Sequence, residues 1–272
     1  MADPKLRKNG VMRWKIDAPW FGGFSGIEIT GYGTEMTVIS DRGQLVEATL
    51  QRKRGKIDSV YVDTSRRLSK SSGGRLRKKA SDAEGLAIDA QGRTHISFEH
   101  RHRIMATNLD NGRTRGQINL PFKNEVGPNS GVEALAVGPD STLYALTEKA
   151  PANGAPFPLY AYRGGNWTVA ARLPQRGPFV PVGADFDSKG RLWVLERATT
   201  PLGFRSRVRL FELGGVAPRE YTMLKTLPAR FDNLEGISVW DDPSGTMHIT
   251  MISDDNFMRI LRTQIVEYRV KE

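Results

Sequence analysis

The sequence predicts an all-β fold, a single β-propeller domain with five blades. One pattern occurs five times along the 272 residues: a short apolar strand that opens on a small or acidic residue, a turn containing Gly or Asp, and a second strand that ends on an acid. The copies open at residues 25, 84, 133, 183 and 235, so successive copies are 59, 49, 50 and 52 residues apart. Repeats of about 40–50 residues with several strands each are typical of propeller blades. No segment shows the 3.6-residue periodicity of an amphipathic helix over helical length.

The second copy illustrates the strands expected in each blade. They are predicted at residues 84–89, 93–99, 103–109 and 116–120, and Asp110-Asn111-Gly112 between the last two is a strong hairpin signal. The turn after the first strand recurs in other copies at residues 138–141, 187–190 and 241–245. These turns contain Gly, Asp or Ser, which tolerate turn conformations well, Gly in particular accepting a positive φ at low cost.

The last copy contains only three strands, expected at residues 237–240, 247–252 and 264–270. Residues 11–16 precede the first copy and are predicted to supply the missing outer strand of the last blade. Closure of the ring by the two ends of the chain removes an exposed sheet edge. Six blades are the alternative, and the sixth would have to come from residues 44–80, which are rich in Ser, Gly and Lys.

The copies cover residues 24–270 without a linker, so residues 1–272 are expected to form one domain, with residues 1–10 flexible. The formal net charge is +10. Residues 52–79 hold 11 Lys and Arg against two Asp, 11 − 2 = +9, so most of the net charge lies there. The simplest interpretation is a basic loop or hairpin extension of the first blade, and the alternative is a patch that binds an anionic ligand or surface. Nucleic acid is not expected as a partner, because Tyr61 is the one aromatic residue in this segment.

The composition excludes several classes of protein. The chain has no cysteine, which excludes disulfides, thiolate catalysis and Cys-ligated zinc. No apolar stretch approaches the roughly 18 residues of a transmembrane helix, so no membrane span is expected. No apolar segment follows the basic residues at the start, so no signal peptide is expected in this sequence.

The acidic residues of the repeat are the candidate functional residues. In a propeller the innermost strand of every blade surrounds the central axis, so equivalent positions form rings. Carboxylates about 4 Å apart repel by about 4 kcal/mol at an effective dielectric near 20, so such a group needs protons, basic partners or a metal ion. One ring is expected to hold Ser25, Glu84, Glu133 and Glu235, with Asp185 in the fourth copy, and a second ring at the same face is expected to hold Asp41, Glu99, Glu148, Glu196 and Asp254.

Two interpretations of these rings remain open. The first is a site for Ca²⁺, whose ligands would be Glu84, Glu133, Glu235, Asp41, Glu99, Glu148, Glu196 and Asp254, with Asn129, Asn233 and Asn256 nearby. Carboxylate and amide oxygens are the ligands that Ca²⁺ prefers. The second is a set of salt bridges between blades, with partners such as Arg42, Arg103 and Arg197.

Motifs along nearly the whole chain resemble those of the phytase-like family, "esterase-like activity of phytase". They are Phe-Gly-Gly-Phe-Ser-Gly at 21–26, Ser-Asp at 40–41, Asp-Ala-Glu-Gly at 82–85, Ser-Phe-Glu followed by basic residues at 97–103, Asn-Ser-Gly-Val-Glu-Ala-Leu at 129–135, Leu-Glu-Arg at 195–197, Asn-Leu-Glu-Gly at 233–236, Ser-Asp-Asp-Asn-Phe at 253–257 and Arg-Thr at 262–263. The resemblance implies a bacterial β-propeller, periplasmic or secreted. Propeller phytases, from which the family takes its name, depend on calcium and hydrolyse phosphomonoesters.

Two functions follow as hypotheses. The first is a calcium-dependent hydrolase of phosphoesters or related esters at the mouth of the channel, acting on a small anionic substrate. Arg101, Arg103 and Arg197 would stabilise the developing negative charge as catalytic residues. The alternative is a non-catalytic propeller that binds a ligand or protein and holds a structural metal ion. A monomer is expected in either case.

Overall fold

The computed structural model describes residues 4–122, 131–215 and 217–271. Within these residues the chain forms five antiparallel sheets of four strands each, arranged around a central axis. The predicted five-bladed propeller is therefore confirmed. Two short 3-10 turns lie at Gly31–Gly33 and Lys78–Ala80. No helix in the described part of the chain has the length and hydropathy needed to cross a membrane.

Each blade is a four-stranded meander, and its first strand is the innermost one. Blade 1 contains β2 (Phe24–Thr30), β3 (Glu35–Ser40), β4 (Gln44–Lys53) and β5 (Lys56–Arg67). Blade 2 contains β6 (Ala83–Ile88), β7 (Thr94–Phe98), β8 (Arg103–Thr107) and β9 (Thr114–Asn119). Blade 3 contains β10 (Val132–Val137), β11 (Leu143–Thr147), β12 (Phe157–Arg163) and β13 (Asn166–Leu173). Blade 4 contains β14 (Val180–Phe186), β15 (Leu192–Thr200), β16 (Gly203–Glu212) and β17 (Arg219–Lys225).

Blade 5 is built from both ends of the chain. Its strands β18 (Asn233–Asp241), β19 (Met247–Asp254) and β20 (Gln264–Lys271) are completed on the outside by β1 (Lys5–Arg13). β1 runs antiparallel to β20, from the pair Lys5↔Lys271 to the pair Arg13↔Gln264. The sequence predicted this closing strand but placed it at residues 11–16 and left residues 1–10 flexible. Residues 5–10 instead belong to the strand, because the edge of β20 offers them backbone hydrogen-bond partners.

A buried polar network anchors the closing strand to blade 1. Glu267 on β20 is 2% exposed and accepts two hydrogen bonds from the guanidinium of Arg52 on β4, at 2.9 and 2.8 Å. The Asn9 amide on β1 donates to the same carboxylate at 2.5 Å and to the carbonyl of Gly55 at 2.9 Å. One carboxylate therefore joins the first blade to both strands that close the ring.

Every inner strand begins with a β-bulge. The pairing register shifts at Ser25, at Glu84 and Gly85, at Glu133, at Val182 and at Glu235. A bulge leaves the extra residue unpaired and redirects its side chain. The five bulges lie at equivalent places, so they turn one position of every blade toward the same mouth of the propeller.

The residue after the bulge is Gly in four blades and Ala134 in the third. The reason is the close approach of neighbouring inner strands. A methyl group at Gly183 would lie 2.5 Å from the carbonyl oxygen of Glu235, and one at Gly85 would lie 3.0 Å from that of Glu133. The strands leave a central void of about 10 Å³, barely room for one water molecule. The expected open channel is thus closed below the mouth.

The basic segment 52–79 contains the tip of the β4–β5 hairpin and all of β5, the outer strand of blade 1. The segment that follows β5 is attached to blade 2. Leu68 is buried, the amide of Ser69 donates to Gly112 at 2.9 Å, and the amide of Thr114 donates to Ser69 at 2.8 Å. Residues 68–80 therefore cross from the outside of blade 1 to the inner strand of blade 2.

Candidate functional site

The bulges and the strand ends bring a cluster of carboxylates to one mouth of the propeller, which we call the acidic mouth. The inner strands contribute their bulge residues, and the second strands of four blades contribute the residue at or just after their last position. Seven of the eight predicted metal ligands belong to it: Glu84, Glu133, Glu235, Asp41, Glu99, Glu148 and Asp254.

Burial and mutual repulsion raise the pKa of the inner carboxyls. For Glu84 and Glu133, burial is the largest cause of a pKa well above the usual range. Repulsion adds to it: Glu133 and then Glu235 act on Glu84, while Glu148 and Glu235 act on Glu133. The acids therefore share one electrostatic environment, as the repeat predicted.

The outer carboxyls at the junction of blades 5 and 1 behave in the same way. Burial, followed by repulsion from Asp82, raises the pKa of Asp41 to about 7, and Arg42 opposes the shift. Burial, followed by repulsion from Glu235, raises the pKa of Asp254 to about 8. The Oδ1 atom of Asp41 is buried and has no hydrogen-bond partner among the described residues. These two carboxylates are thus short of positive partners.

Arg197 supplies a positive charge inside the acidic mouth. Its guanidinium forms an ion pair with Glu235 through Nη1 and lies 3.3 Å from a Glu148 oxygen through Nη2. Nη1 also donates to the side-chain oxygen of Asn233 at 3.0 Å, and the Asn233 amide donates to Glu235 at 2.8 Å. Arg197 therefore compensates the side of the mouth formed by blades 3 and 5.

The prediction that Glu196 binds the metal is wrong. Glu196 is fully buried inside blade 4, where its carboxylate pairs with Arg207 at 2.5 Å and Arg209 at 2.5 Å. Successive residues of a strand point to opposite faces, so Arg197 points to the mouth where Glu196 points away. The spacing in the sequence distinguishes the two residues. Glu99 and Glu148 each come 14 positions after the Gly or Ala that follows the bulge (99 − 85 and 148 − 134). In blade 4 the residue at that spacing is Arg197 (197 − 183 = 14), not Glu196.

Asp185 does not belong to the acidic mouth either. The bulge residue of blade 4 is Val182, and Asp185 lies three positions further along β14. Its carboxylate accepts hydrogen bonds from the amides of Val239 at 2.6 Å and Phe186 at 2.7 Å. The expectation that blade 4 adds an acid to the first ring is therefore wrong, and blade 4 contributes Arg197 instead.

Two further residues, Asp82 and His100, lie at the rim of the acidic mouth and were not predicted from the repeat. His100 Nε2 lies 3.0 Å from an Asp82 oxygen and 3.9 Å from a Glu99 oxygen. One ligand atom from each of these three side chains lies within 4.8 Å of the others, a spacing that could hold a metal ion. The signal for Asp82 was its position two residues before Glu84, which brings it to the same end of β6.

Of the amides expected near the acids, Asn233 is hydrogen-bonded within the cluster, as described above. The backbone amide of Asn256 donates to Asp254 at 2.6 Å. Asn129 lies outside the described residues.

The carboxylates of the mouth match a hard cation in chemistry, whereas among the described residues only Asp82, Glu99 and His100 already lie at metal-ligand spacing. All seven predicted ligands offer carboxylate oxygens, which suit Ca²⁺, and the buried Oδ1 of Asp41 is an acceptor without a donor. Arg197 is already paired with Glu235 and Glu148, and its single positive charge can offset one of these two carboxylates. Asp41, Glu84 and Asp254 form no ion pair among the described residues, but their ligand atoms do not all lie within 4.8 Å of one another, so these side chains would have to move closer together to bind one ion.

The predicted catalytic arginines separate into two places. Arg197 lies in the acidic mouth, whereas Arg101 and Arg103 line a cavity of about 850 Å³ on blade 2. Arg103 is buried, stacks over the ring of Phe98 at 4.2 Å and donates to the carbonyl of Ala80 at 2.6 Å.

Comparisons with solved structures agree with the fold. The PQQ-bound aldose sugar dehydrogenase from Streptomyces coelicolor is 12% identical, with 100% of this chain and 99% of that chain covered and a TM-score of 0.52. A gluconolactonase from Xanthomonas campestris is 12% identical, with coverage of 90% and 72% and a TM-score of 0.47. Virginiamycin B lyase from Staphylococcus aureus is 14% identical, with coverage of 99% and 100% and a TM-score of 0.45. At such identities the likeness to the dehydrogenase shows a common fold alone.

A search of curated proteins gave no significant match. The model of one family does match, over residues 19–257, and its description is "Phytase-like: Esterase-like activity of phytase". The matched range includes the bulges of all five inner strands and every carboxylate of the acidic mouth. The chain therefore belongs to the phytase-like family.

Proposed function

We propose that the protein is a metal-dependent hydrolase of phosphoesters or related esters, with Ca²⁺ as the favoured ion and the acidic mouth as its active site. The observation that carries the proposal is the excess of half-buried carboxylates over positive charges there. The mouth contains eight carboxyl groups, counting Asp82. Among the described residues, Arg197 is the one arginine that forms ion pairs with them. Structural salt bridges would leave fewer acids without partners.

Asp41, Glu84 and Asp254 would hold the cation after closing around it, since among the described residues only Asp82, Glu99 and His100 already lie at metal-ligand spacing. The raised pKa values of Asp41, Glu84 and Asp254 support this role, because a carboxyl group that holds a proton can exchange it for a metal ion. When bound, a divalent cation polarises the ester oxygen and neutralises charge that develops on it. Arg197 is held in place by Glu148, Asn233 and Glu235, so its position is set before a substrate binds.

A carboxyl group of the mouth that is left outside the metal shell can move protons. General bases work best when their pKa lies near the working pH, and burial raises the pKa of Glu99, a carboxyl group not assigned to the cation. In this proposal the mouth would combine metal ligands, the fixed positive charge of Arg197 and a proton acceptor within one cluster.

The test is a panel of aryl phosphates and aryl carboxylic esters, assayed with calcium and with chelator. We expect calcium-dependent hydrolysis of at least one class, and a fall in kcat/KM of about 10²–10⁴-fold in Glu84→Gln. Glu35→Gln, a change at an exposed carboxylate of β3, is the control and should retain full activity. No hydrolysis by a folded, calcium-loaded protein would contradict the proposal and favour the alternative of a binding propeller with a structural ion.

A further inference from the structure

A second site lies next to the acidic mouth, in the cavity of about 850 Å³ on blade 2. We call it the basic cavity. Its volume falls in the range of ligand pockets, roughly 300–1,000 Å³. One wall is the segment 68–80, and the opposite wall comes from the residues around β8 and β9.

The wall formed by residues 68–80 is held in place. Beyond the Ser69 hydrogen bonds to blade 2, the amide of Lys70 donates to Gly74 at 2.8 Å, and Leu76 packs into the apolar cluster around Leu68. This wall is therefore a folded part of the cavity, although its sequence reads as a solvated loop.

All the permanent charges that line the cavity are positive. Four permanent cations border the cavity: Lys70, Arg77, Arg101 and Arg103. Neutral donors from Ser71, Ser72, Thr114 and Gln117 lie between them, and the described lining contains no Asp or Glu. A surface of this composition repels cations and attracts anions.

Arg103 is the strongest sign that an anion belongs here. It is 7% exposed, yet its described hydrogen-bond acceptors are neutral: the carbonyls of Ala80 at 2.6 Å and Arg101 at 3.0 Å, and the sulfur of Met105 at 3.3 Å. No carboxylate within the described residues forms an ion pair with it. Burial, and then repulsion from Arg101, lower its pKa. A buried charge without a counter-ion is costly, and an anion in the cavity would remove that cost.

We propose that the basic cavity binds a tetrahedral oxyanion of the phosphate class. Guanidinium groups match phosphate oxygens with paired hydrogen bonds, and three of the four cations are arginines. Arg77 and Arg101 are exposed at the rim and free to reach an anion, while Arg103 supplies charge from the wall. The site shares no residue with the carboxylates that would hold the metal, so it stands whether or not the mouth is catalytic.

The bound phosphate can be a free anion or a group carried by the substrate of the mouth. His100 lines the basic cavity and also contacts Asp82 in the acidic mouth. The two sites therefore adjoin, and one molecule with an ester at the mouth could place an anionic group in the cavity.

The test is calorimetric titration of the full chain with inorganic phosphate in the presence of chelator, which keeps metal-bound phosphate out of the measurement. We expect Arg77→Ser/Arg101→Ser to weaken phosphate binding at least tenfold. The control is Lys53→Ser/Lys56→Ser on the exposed end of the β4–β5 hairpin, which removes the same net charge far from the lining. Its binding should stay within twofold of the parent, and thermal melts should show all three proteins folded.

The proposal is overturned if the parent protein does not bind phosphate. It is also overturned if both variants weaken phosphate binding equally, because binding would then depend on the net charge of the protein and not on this cavity. The source of the anion follows from inhibition of aryl phosphate hydrolysis. Competitive inhibition by phosphate, with a Ki that rises in Arg77→Ser/Arg101→Ser, supports a group carried by the substrate. If the variant loses phosphate binding but phosphate does not compete with the aryl phosphate substrate, the cavity binds a separate anion.

Discussion

Arg197 occupies in blade 4 the position that Asp254 occupies in blade 5. Arg197 pairs in register with Val180, and Asp254 pairs with Asn233, in each case two register pairs before the post-bulge glycine. A cation thus stands in one place of a ring that is otherwise acidic. Arg197 therefore supplies the acidic mouth with a partial counter-charge. Carboxylates without an ion pair to it lie on blades 1 and 2 and at Asp254 of blade 5.

Calcium should stabilise the protein. At a hundredfold excess over Kd, a ligand that binds only the folded state adds about 2.7 kcal/mol, which raises Tm by roughly 5–10 °C for a domain near this size. Glu133→Gln should lose most of that gain, and Glu35→Gln should keep it. If calcium, magnesium, manganese and chelator all leave the melting curve unmoved, the acidic mouth holds no such ion.

Arg197→Gln should make the fold depend on calcium. Without the guanidinium, Glu235 and Glu148 lose their described ion pair, so Tm in chelator should fall while the gain from calcium exceeds that of the parent protein. Arg176→Gln, at an exposed arginine paired with Glu220, is the matched control. If calcium raises the Tm of Arg197→Gln by the same amount as that of the parent protein, the arginine and the ion do not interact electrostatically.

In chelator, stability should fall as pH rises from 6.5 to 8.5. Asp41 and Asp254 have folded pKa values raised to about 7 and about 8, above those of the unfolded chain. The folded state therefore binds more protons in this range, so ionisation disfavours it. Urea unfolding at several pH values measures the slope, which Asp41→Asn/Asp254→Asn should flatten. Stability that rises over this range in the parent protein would refute the assignment.

Glu196→Gln should destabilise the protein by about 3–5 kcal/mol, because it leaves the buried guanidiniums of Arg207 and Arg209 without their carboxylate. The calcium-induced gain in Tm should survive, in contrast to Glu133→Gln. Denaturant unfolding measures the loss, and Glu212→Gln, at a partly exposed carboxylate, should change stability by less than about 0.5 kcal/mol. If a folded Glu196→Gln protein shows no rise in Tm with calcium, Glu196 would have to be a metal ligand after all.

Deletion of residues 1–13 should expose the edge of β20 and promote aggregation. It also removes Asn9 from the buried carboxylate of Glu267. Light scattering after gel filtration compares this variant with deletion of residues 1–4, which leaves β1 intact. A monodisperse protein with the parent's Tm after the longer deletion would show that β1 is dispensable.

The sequence was sufficient for the blades because their period depends on apolar strands and turns that repeat in every copy. It was also sufficient for Glu84, Glu133 and Glu235, which precede a Gly or Ala that the narrow axis requires. It failed in blade 4, where Asp185 and Glu196 resemble the acids of other copies. Neighbouring residues of a strand point to opposite faces, so a shift of one position moves a side chain from the mouth to the interior of the blade. Only the spacing from Gly183 shows that Arg197, and not Glu196, points to the mouth. The basic cavity depends on tertiary contacts of residues 68–80, which no local pattern reports.

The pairing of Lys5 with Lys271 has a kinetic consequence. Contacts between residues far apart in sequence slow folding, since the loop between them must close before they gain any stabilisation. During synthesis, β1 would wait with an unpaired edge until the final strand emerges. Asp254 and Glu235 belong to that final blade, so the ion site would be complete only after the ring has closed. A metal ion would then act late on the folding pathway, slowing the opening of the finished ring rather than guiding its assembly.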